Sequence, residues 1–194
     1  MIRLPISICS LGRSELTYDP WSSAYRDPFP IATTEEHANL CSAVVLPSTV
    51  EEVQEVVRVA NRFNVPLWPF SRGKNNGYGG PSCRVQGSIL VDLGRMRKII
   101  EVNDKACYAL LEPGVTFFDL FNYCKEKKLK VYPSVPSLGW GSIVGNTIDR
   151  GWGYTPLGEH CAAQCGLEVS WFSLPVLKFP ELTPSVRLFC HRAK

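Results

Sequence analysis

The densest chemistry in the sequence lies in Ser71-Arg72-Gly73-Lys74-Asn75-Asn76-Gly77-Tyr78-Gly79-Gly80, with four glycines and two asparagines in ten residues. A backbone this permissive can turn successive N–H groups into one concavity, and Arg72 and Lys74 flank it with positive charge. Such a loop can cradle a phosphate. It can equally be a flexible surface turn, and composition leaves both readings open. The spacing is neither Gly-x-Gly-x-x-Gly nor a Walker loop. A second glycine-rich stretch runs from Pro136-Ser137-Leu138-Gly139-Trp140-Gly141-Ser142 through Gly145-Asn146 to Arg150-Gly151-Trp152-Gly153-Tyr154 and Gly158-Glu159-His160. It cannot build a core alone, but it can pack its backbone closely on a flat ligand. Two separated loops of this kind point to one large cofactor held from two sides. His160, Cys161 and Cys165 lie close in sequence, but a structural zinc site needs four converging ligands and no fourth candidate is near, so no metal is expected.

The elements that must position these loops are legible. Ala43-Val44-Val45-Leu46 is a short strand stopped by Pro47. Ser48 with Glu51 and Thr49 with Glu52 offer two overlapping capping boxes. Val53, Val56, Val57, Ala60 and Phe63 then follow at helical spacing, and the helix should end near Asn64. Pro66-Leu67-Trp68-Pro69-Phe70 reads as the next strand, which makes a βαβ unit with parallel strands. Further strands are expected at Ser88–Asp92, Ile99–Val102, Tyr108–Glu112 and from Val131. Thr116, with Asp119 at the box position, should cap a second helix whose apolar stripe is Phe117, Leu120, Phe121 and Cys124. Cys124 reads there as a small buried hydrophobe.

Composition bounds the function classes. The 194 residues carry 21 basic and 18 acidic side chains and 45% apolar residues, ordinary for a globular protein with a real core. That balance argues against a dedicated nucleic-acid binder, and the broken run Lys125–Lys130 reads as a solvated helix end. No apolar run is long enough for a transmembrane helix. Met1–Cys9 lacks the features of a secretory signal. Eight irregularly spaced cysteines in a chain of this size read as reduced thiols, which fits a cytoplasmic location.

Taken in order, Gly73-Lys74-Asn75-Asn76-Gly77-Tyr78-Gly79, Glu112-Pro113-Gly114-Val115-Thr116 and Val144-Gly145-Asn146-Thr147 through Arg150-Gly151 to Gly153-Tyr154-Thr155-Pro156 carry a resemblance. Ala43 to Val169 resembles the flavin-binding domain of the vanillyl-alcohol oxidase and para-cresol methylhydroxylase flavoproteins. The resemblance implies an α+β, two-subdomain FAD-binding domain, here incomplete and without a cap domain. It implies oxidation of para-substituted phenols, such as 4-hydroxybenzyl alcohols or 4-alkylphenols. A hydride passes from the benzylic carbon to flavin N5, and the quinone methide then takes up water or loses a proton. FAD-binding positions carried over are Ser71, Arg72, Gly73, Lys74, Asn75, Asn76 and Gly77, where backbone amides meet the pyrophosphate, and Pro136, Gly141, Ser142, Gly145, Asn146, Gly151 and Gly153. Tyr78 matches a tyrosine that hydrogen-bonds the substrate phenolate, and Tyr154 another active-site tyrosine. Ser137 matches the position facing flavin N5, an aspartate in the oxidase branch and a serine in the cresol branch. Trp140 and Trp152 stand where smaller residues are expected. The implied partners are a small phenolic substrate and, for the parent family, an oligomer. No nucleic acid or membrane is implied.

The implied organisation is an extended arm over 1–40, the FAD-binding domain over 41–169 with subdomains 41–100 and 101–169, and an unrelated, irregular tail over 170–194. The pattern stops after Glu168-Val169, as a translated intron, a frameshift or a truncated gene model would make it. Absent sheet partners should leave exposed strand edges. Competing readings are an inert FAD-domain remnant, a binding module, and an FAD-dependent 2-hydroxy-acid dehydrogenase. Tyr78 and Gly158-Glu159-His160 favour the phenol branch over the last.

Overall fold

A computed structural model describes residues 41–74, 80–156 and 158–167, and the backbone of 187–189 and 191–192. The expectations for the arm 1–40, for Asn75, Asn76, Gly77 and Tyr78, and for 170–186 fall outside the described residues. The chain divides into two units between Arg95 and Met96, five residues before the break expected at 100/101. Each is α+β in composition, and the described residues include no cap domain.

In the first unit, β1 (Ala43–Val45), α1 (Val50–Arg62), β2 (Leu67–Phe70) and β3 (Ile89–Asp92) follow one another. The three strands are parallel in the order β1-β3-β2, so the strand arriving last occupies the centre. The β-branched residues place Ala43, Val45, Ile89 and Val91 on one face with Val56 of α1. Cys41, Val44, Cys83 and Leu90 lie in a second cluster. Alternation along β1 and β3 thus feeds two apolar layers, as expected of a parallel sheet covered on both faces.

The start of α1 differs from the expectation. Thr49 is the N-cap and accepts from Glu52 N–H at 3.2 Å. The Glu52 carboxylate reaches back one residue further, to Ser48 N–H at 2.6 Å and Ser48 Oγ at 3.0 Å. One Glu therefore serves both residues, and the separate Ser48–Glu51 box does not form. The helix stops at Arg62 because Asn64 takes φ 52°, a left-handed turn that Asn tolerates.

The second unit contains β4 (Ile99–Asn103), β5 (Tyr108–Leu111), α2 (Phe117–Glu126), β6 (Val131–Tyr132), α3 (Ile143–Ile148) and β7 (Gln164–Gly166), then β8 (Arg187–Phe189) and β9 (His191–Arg192). α2 begins with a full capping box. Thr116 Oγ1 accepts from Asp119 N–H at 3.1 Å, and Asp119 Oδ2 accepts from Thr116 N–H at 2.9 Å. Its buried stripe is Phe117, Leu120 and Cys124, packed with Ala109, Leu111, Val115, Val131, Ile143 and Val144. Phe121 does not belong to the stripe, because it is exposed together with Phe118. The i, i+3, i+7 positions face the core, and position i+4 falls at the rim.

Two further corrections concern this unit. The glycine-rich stretch contains a helix, α3, and contributes Ile143 and Val144 to the core. Ser142 makes this possible: its Oγ donates to Pro113 O at 2.5 Å and accepts from Gly145 N–H at 3.1 Å. One hydroxyl thus caps the helix and ties it to the turn after β5. The irregular tail is also interrupted. β8 lies antiparallel between β5 and β7, and β9 pairs with β6. Exposed strand edges are the general expectation; the second edge of β5 is covered by β8.

Candidate functional site

The first unit presents the loop after β2. Gly73 sits at φ +58°, and a Cβ added there would come within 2.9 Å of the Pro81 ring. Glycine is required on both counts. Among the described residues, the N–H groups of Gly73 and Lys74 meet no acceptor. Arg72 lies half-buried below them. Its Nη1 donates to Gly94 O at 3.4 Å, while its Nε is buried without a hydrogen-bond partner. Beside it, Asp92 Oδ1 accepts from Gly94 N–H at 2.8 Å. Burial pushes the Asp92 carboxyl above its ordinary value, against the pull of the Gly94 amide and of Arg72 and Arg95. Two amides without acceptors and a buried guanidinium N–H without a partner make a donor-rich set with positive charge, which suits a phosphate.

The second unit is arranged differently. Here the amides of five of the expected cofactor residues are already engaged, while Ser142 N–H is not among them. Gly141 N–H donates to Leu138 O at 3.2 Å, Gly145 N–H to Ser142 Oγ, and Asn146 N–H to Ser142 O at 3.0 Å. Gly151 N–H donates to Asn146 O, and Gly153 N–H to Gly158 O, both at 2.7 Å. The missing side chains of Gly151 and Gly153 are also accounted for internally. A Cβ on Gly151 would overlap the Asn146 amide, and one on Gly153 would overlap Ser134 Oγ and approach His160 Nε2 to 2.5 Å. These glycines fold the loop onto itself and turn the amides of Gly141, Gly145, Asn146, Gly151 and Gly153 toward protein acceptors.

The element beneath that surface was not expected from the sequence. His160 is buried at 5% exposure. Its Nδ1 lies 2.7 Å from Asn146 Oδ1, and its Nε2 lies 3.1 Å from Ser134 Oγ, which in turn lies 3.0 Å from Thr155 Oγ1. The Phe117 ring packs on the imidazole with centroids 5.5 Å apart. Tyr154 and Trp152 stand on the same loop, 81% and 67% exposed. Ser137 is exposed and Pro136 half-buried. Trp140 is exposed and meets the Phe118 ring at 6.3 Å. Among the described residues, no group of three or more His, Cys, Asp and Glu side chains is placed to hold a metal. No helix among them is long and apolar enough to cross a membrane.

A parallel βαβ unit that leads into a cation-flanked, glycine-rich segment is followed in sequence by an α+β unit with a self-folded glycine loop. Residues 41–170 match the family described as FAD binding domain, and the chain belongs to it. Within it, the chain is of the vanillyl-alcohol oxidase and cresol methylhydroxylase type. It is 47% identical over 137 residues to the 4-cresol dehydrogenase [hydroxylating] flavoprotein subunit of Pseudomonas putida, covering 70% of this chain and 26% of that one. It is 35% identical over 160 residues to 1'-carboxy-chondrochloren decarboxylase of Chondromyces crocatus, covering 82% and 29%. A solved 4-ethylphenol oxidase from Gulosibacter chungangensis, in an isoeugenol complex, superposes with a TM-score of 0.76 at 34% identity, over 87% of this chain and 38% of that one. The chain thus spans between about a quarter and two fifths of the length of these proteins.

The cofactor of this family is FAD. The first unit fits its pyrophosphate, because the Gly73 and Lys74 amides and Arg72 Nε are donors without acceptors.

Proposed function

We propose that this chain is the FAD-holding part of an oxidoreductase acting on 4-hydroxybenzyl alcohols or 4-alkylphenols. The observation that carries the proposal is the open donor set of Arg72, Gly73 and Lys74, on a chain 47% identical to a cresol dehydrogenase subunit. Arg72, Gly73 and Lys74, with Ser71, Asn75, Asn76 and Gly77, would hold the pyrophosphate. Pro136, Gly141, Ser142, Gly145, Asn146, Gly151 and Gly153 would serve as a shaped wall. Bound FAD supplies the hydride acceptor.

The chain's own residues bind and orient. Tyr78 and Tyr154 donate phenolic O–H bonds to the substrate oxygen, and a charge-assisted bond favours the ionised phenol. Ser137, in the place where an aspartate stands in the oxidase branch, adds no charge beside the reacting carbon. It therefore leaves deprotonation of the product-forming water to another group. The small phenolic substrate, an oligomeric parent and a cytoplasmic location belong to this proposal. Turnover is assigned to a longer polypeptide, and the 194 residues alone are expected to bind FAD weakly and to turn over nothing.

The test is an equilibrium titration of the purified chain into FAD, read by flavin fluorescence and visible absorption. Bleaching is then followed on adding 4-hydroxybenzyl alcohol, with a 2-hydroxy acid as the comparison substrate. Quenching with a shifted flavin band, lost on desalting, supports the proposal. Bleaching by the hydroxy acid alone would move the chain to the other enzymatic branch. A wholly unperturbed flavin signal at saturating protein would remove the binding role.

A further inference from the structure

The family assignment gives His160 no task, yet its imidazole is buried and meets a polar partner at each ring nitrogen. His160 joins three segments that are distant in sequence: the exit of β6 through Ser134, helix α3 through Asn146, and the loop 150–160 through its own backbone. Its N–H donates to Gly151 O at 3.2 Å, so the loop is closed at both ends on one residue. The chemistry fixes a direction. Asn146 Oδ1 can only accept, so Nδ1 carries the proton. Nε2 then accepts from the Ser134 hydroxyl, and Ser134 Oγ accepts from Thr155. The chain of donors runs Thr155 to Ser134 to His160 to Asn146, and it begins and ends within the loop and the helix it joins. Gly153 and Gly151 lie flush on Ser134, His160 and Asn146, with no room for a Cβ. The same loop carries Trp152 and Tyr154 outward into solvent.

We infer that His160 is the positioning residue of the Arg150–His160 loop, acting through Asn146 and Ser134 to fix where Tyr154 and Trp152 stand, without touching cofactor or substrate. The inference rests on the flavin reading for its consequence but not for its existence. The lock is a property of the protein without ligand.

Two side chains divide the imidazole's functions. In His160→Asn the amide can stand in for Nδ1 and keep the Asn146 contact. In His160→Gln it can stand in for Nε2 and keep the Ser134 contact. The full chain and both variants are digested with trypsin under native conditions without FAD. The rate of cleavage at Arg150–Gly151 is measured against cleavage after Lys105 in the β4–β5 turn. Losing one buried hydrogen bond and orphaning its partner opens the loop about tenfold more often. Cleavage at Arg150 should therefore rise by about that factor in each variant, with the Lys105 rate unchanged. FAD affinity and the visible circular dichroism of bound FAD form the second readout, and both should change in the variants that open the loop. If either variant fails to fold, Thr155→Val and Ser134→Ala, which sever the same donor chain at its start, decide the question by the same digest.

Equal Arg150 cleavage in the parent and every folded variant would overturn the lock. Faster cleavage with unchanged flavin affinity and dichroism would overturn the positioning role. Should the parent itself fail to perturb FAD, the flavin reading falls. The positioning role is then judged by the near-ultraviolet dichroism of the loop aromatics, which must differ in the opened variants for the inference to stand.

Discussion

Replacing Gly153 by alanine tests whether the glycines of the second loop exist for the protein or for its ligand. An alanine Cβ there would overlap Ser134 Oγ and sit 2.5 Å from His160 Nε2. Both side chains are buried, at 8% and 5% exposure, and both are held by hydrogen bonds, so neither can swing aside. Forcing one extra methyl into such a site costs about 2 kcal/mol. For a unit of this size, roughly 4–8 °C are lost per kcal/mol, so Tm should fall by about 8–16 °C. Gly139→Ala is the internal control. Its Cβ would approach the Phe118 ring to 2.6 Å, but that ring is 51% exposed and can rotate into solvent. The entropy removed from the unfolded chain by alanine, about 0.4–1 kcal/mol, offsets what remains. Gly139→Ala should therefore melt within about 4 °C of the parent. The assay is thermal unfolding by circular dichroism without FAD. Adding Ser134→Gly to Gly153→Ala should recover part of the loss, because the nearest obstructing atom is gone. A Gly153→Ala chain that melts with the parent yet binds FAD more weakly would refute the reasoning and return the glycine to the ligand.

Other outcomes follow from single contacts. Leu120→Ala, at 2% exposure in the core of the second unit, should cost about 2–5 kcal/mol, seen as a lower urea midpoint at unchanged slope. Asp119→Asn should cost about 1 kcal/mol at pH 7 through its cap, and the difference from the parent should shrink at pH 3. Burial raises the Asp119 carboxyl, but the Thr116 amide and hydroxyl and the Arg97 guanidinium outweigh it, so the folded value lies below 3.8. A depressed carboxylate stabilises fully above its unfolded value and loses that stabilisation as pH falls through the folded one. Glu52, depressed mainly by the Ser48 amide, adds to the same acid limb below 4.5, whereas the raised Asp92 opposes it. Arg72→Leu removes a buried Nε without a partner along with one long bond from Nη1 to Gly94 O, and should leave Tm within about 4 °C of the parent. It should weaken FAD binding about tenfold, as loss of a charged hydrogen bond does. Equal affinity in the titration would show that Arg72 serves only the fold.

The parts of this fold that are local were legible in the sequence. Thr116 and Asp119 announce α2 because a capping box is complete within four residues. β1, α1, β2 and β3 are each marked by their own apolar period and turn residues. Helix α3 was hidden, because Gly145 and Asn146 argue against a helix and the compensating bond from Ser142 to Pro113 spans 29 residues. Phe121 misled because a stripe read at i, i+3, i+4 is wider than the face this unit buries. At the site, residue type left the first loop open between a phosphate cradle and a surface turn. The second loop's donor character was not legible, since its engaged amides meet partners that only the fold brings near. His160 escaped for the same reason. Nothing local distinguishes it, and its partners lie 14 and 26 residues away.

The β1-β3-β2 order also says when this protein can begin to fold. β1 and β2 never bond to each other, and each waits for the strand that leaves the ribosome after both. Until Ile89 arrives to pair with Ala43 and Leu67, the elements described before it are one helix and two unpartnered extended segments. The glycine-rich segment 71–80 lies in the span between β2 and β3, so the pairing of those strands brings the ends of that span together. Nascent chains stalled before residue 89 should therefore stay protease-sensitive through β1, α1 and β2. Protection of this sheet should appear only once β3 has emerged, because every one of its strand pairings includes β3 and needs a loop closed onto it.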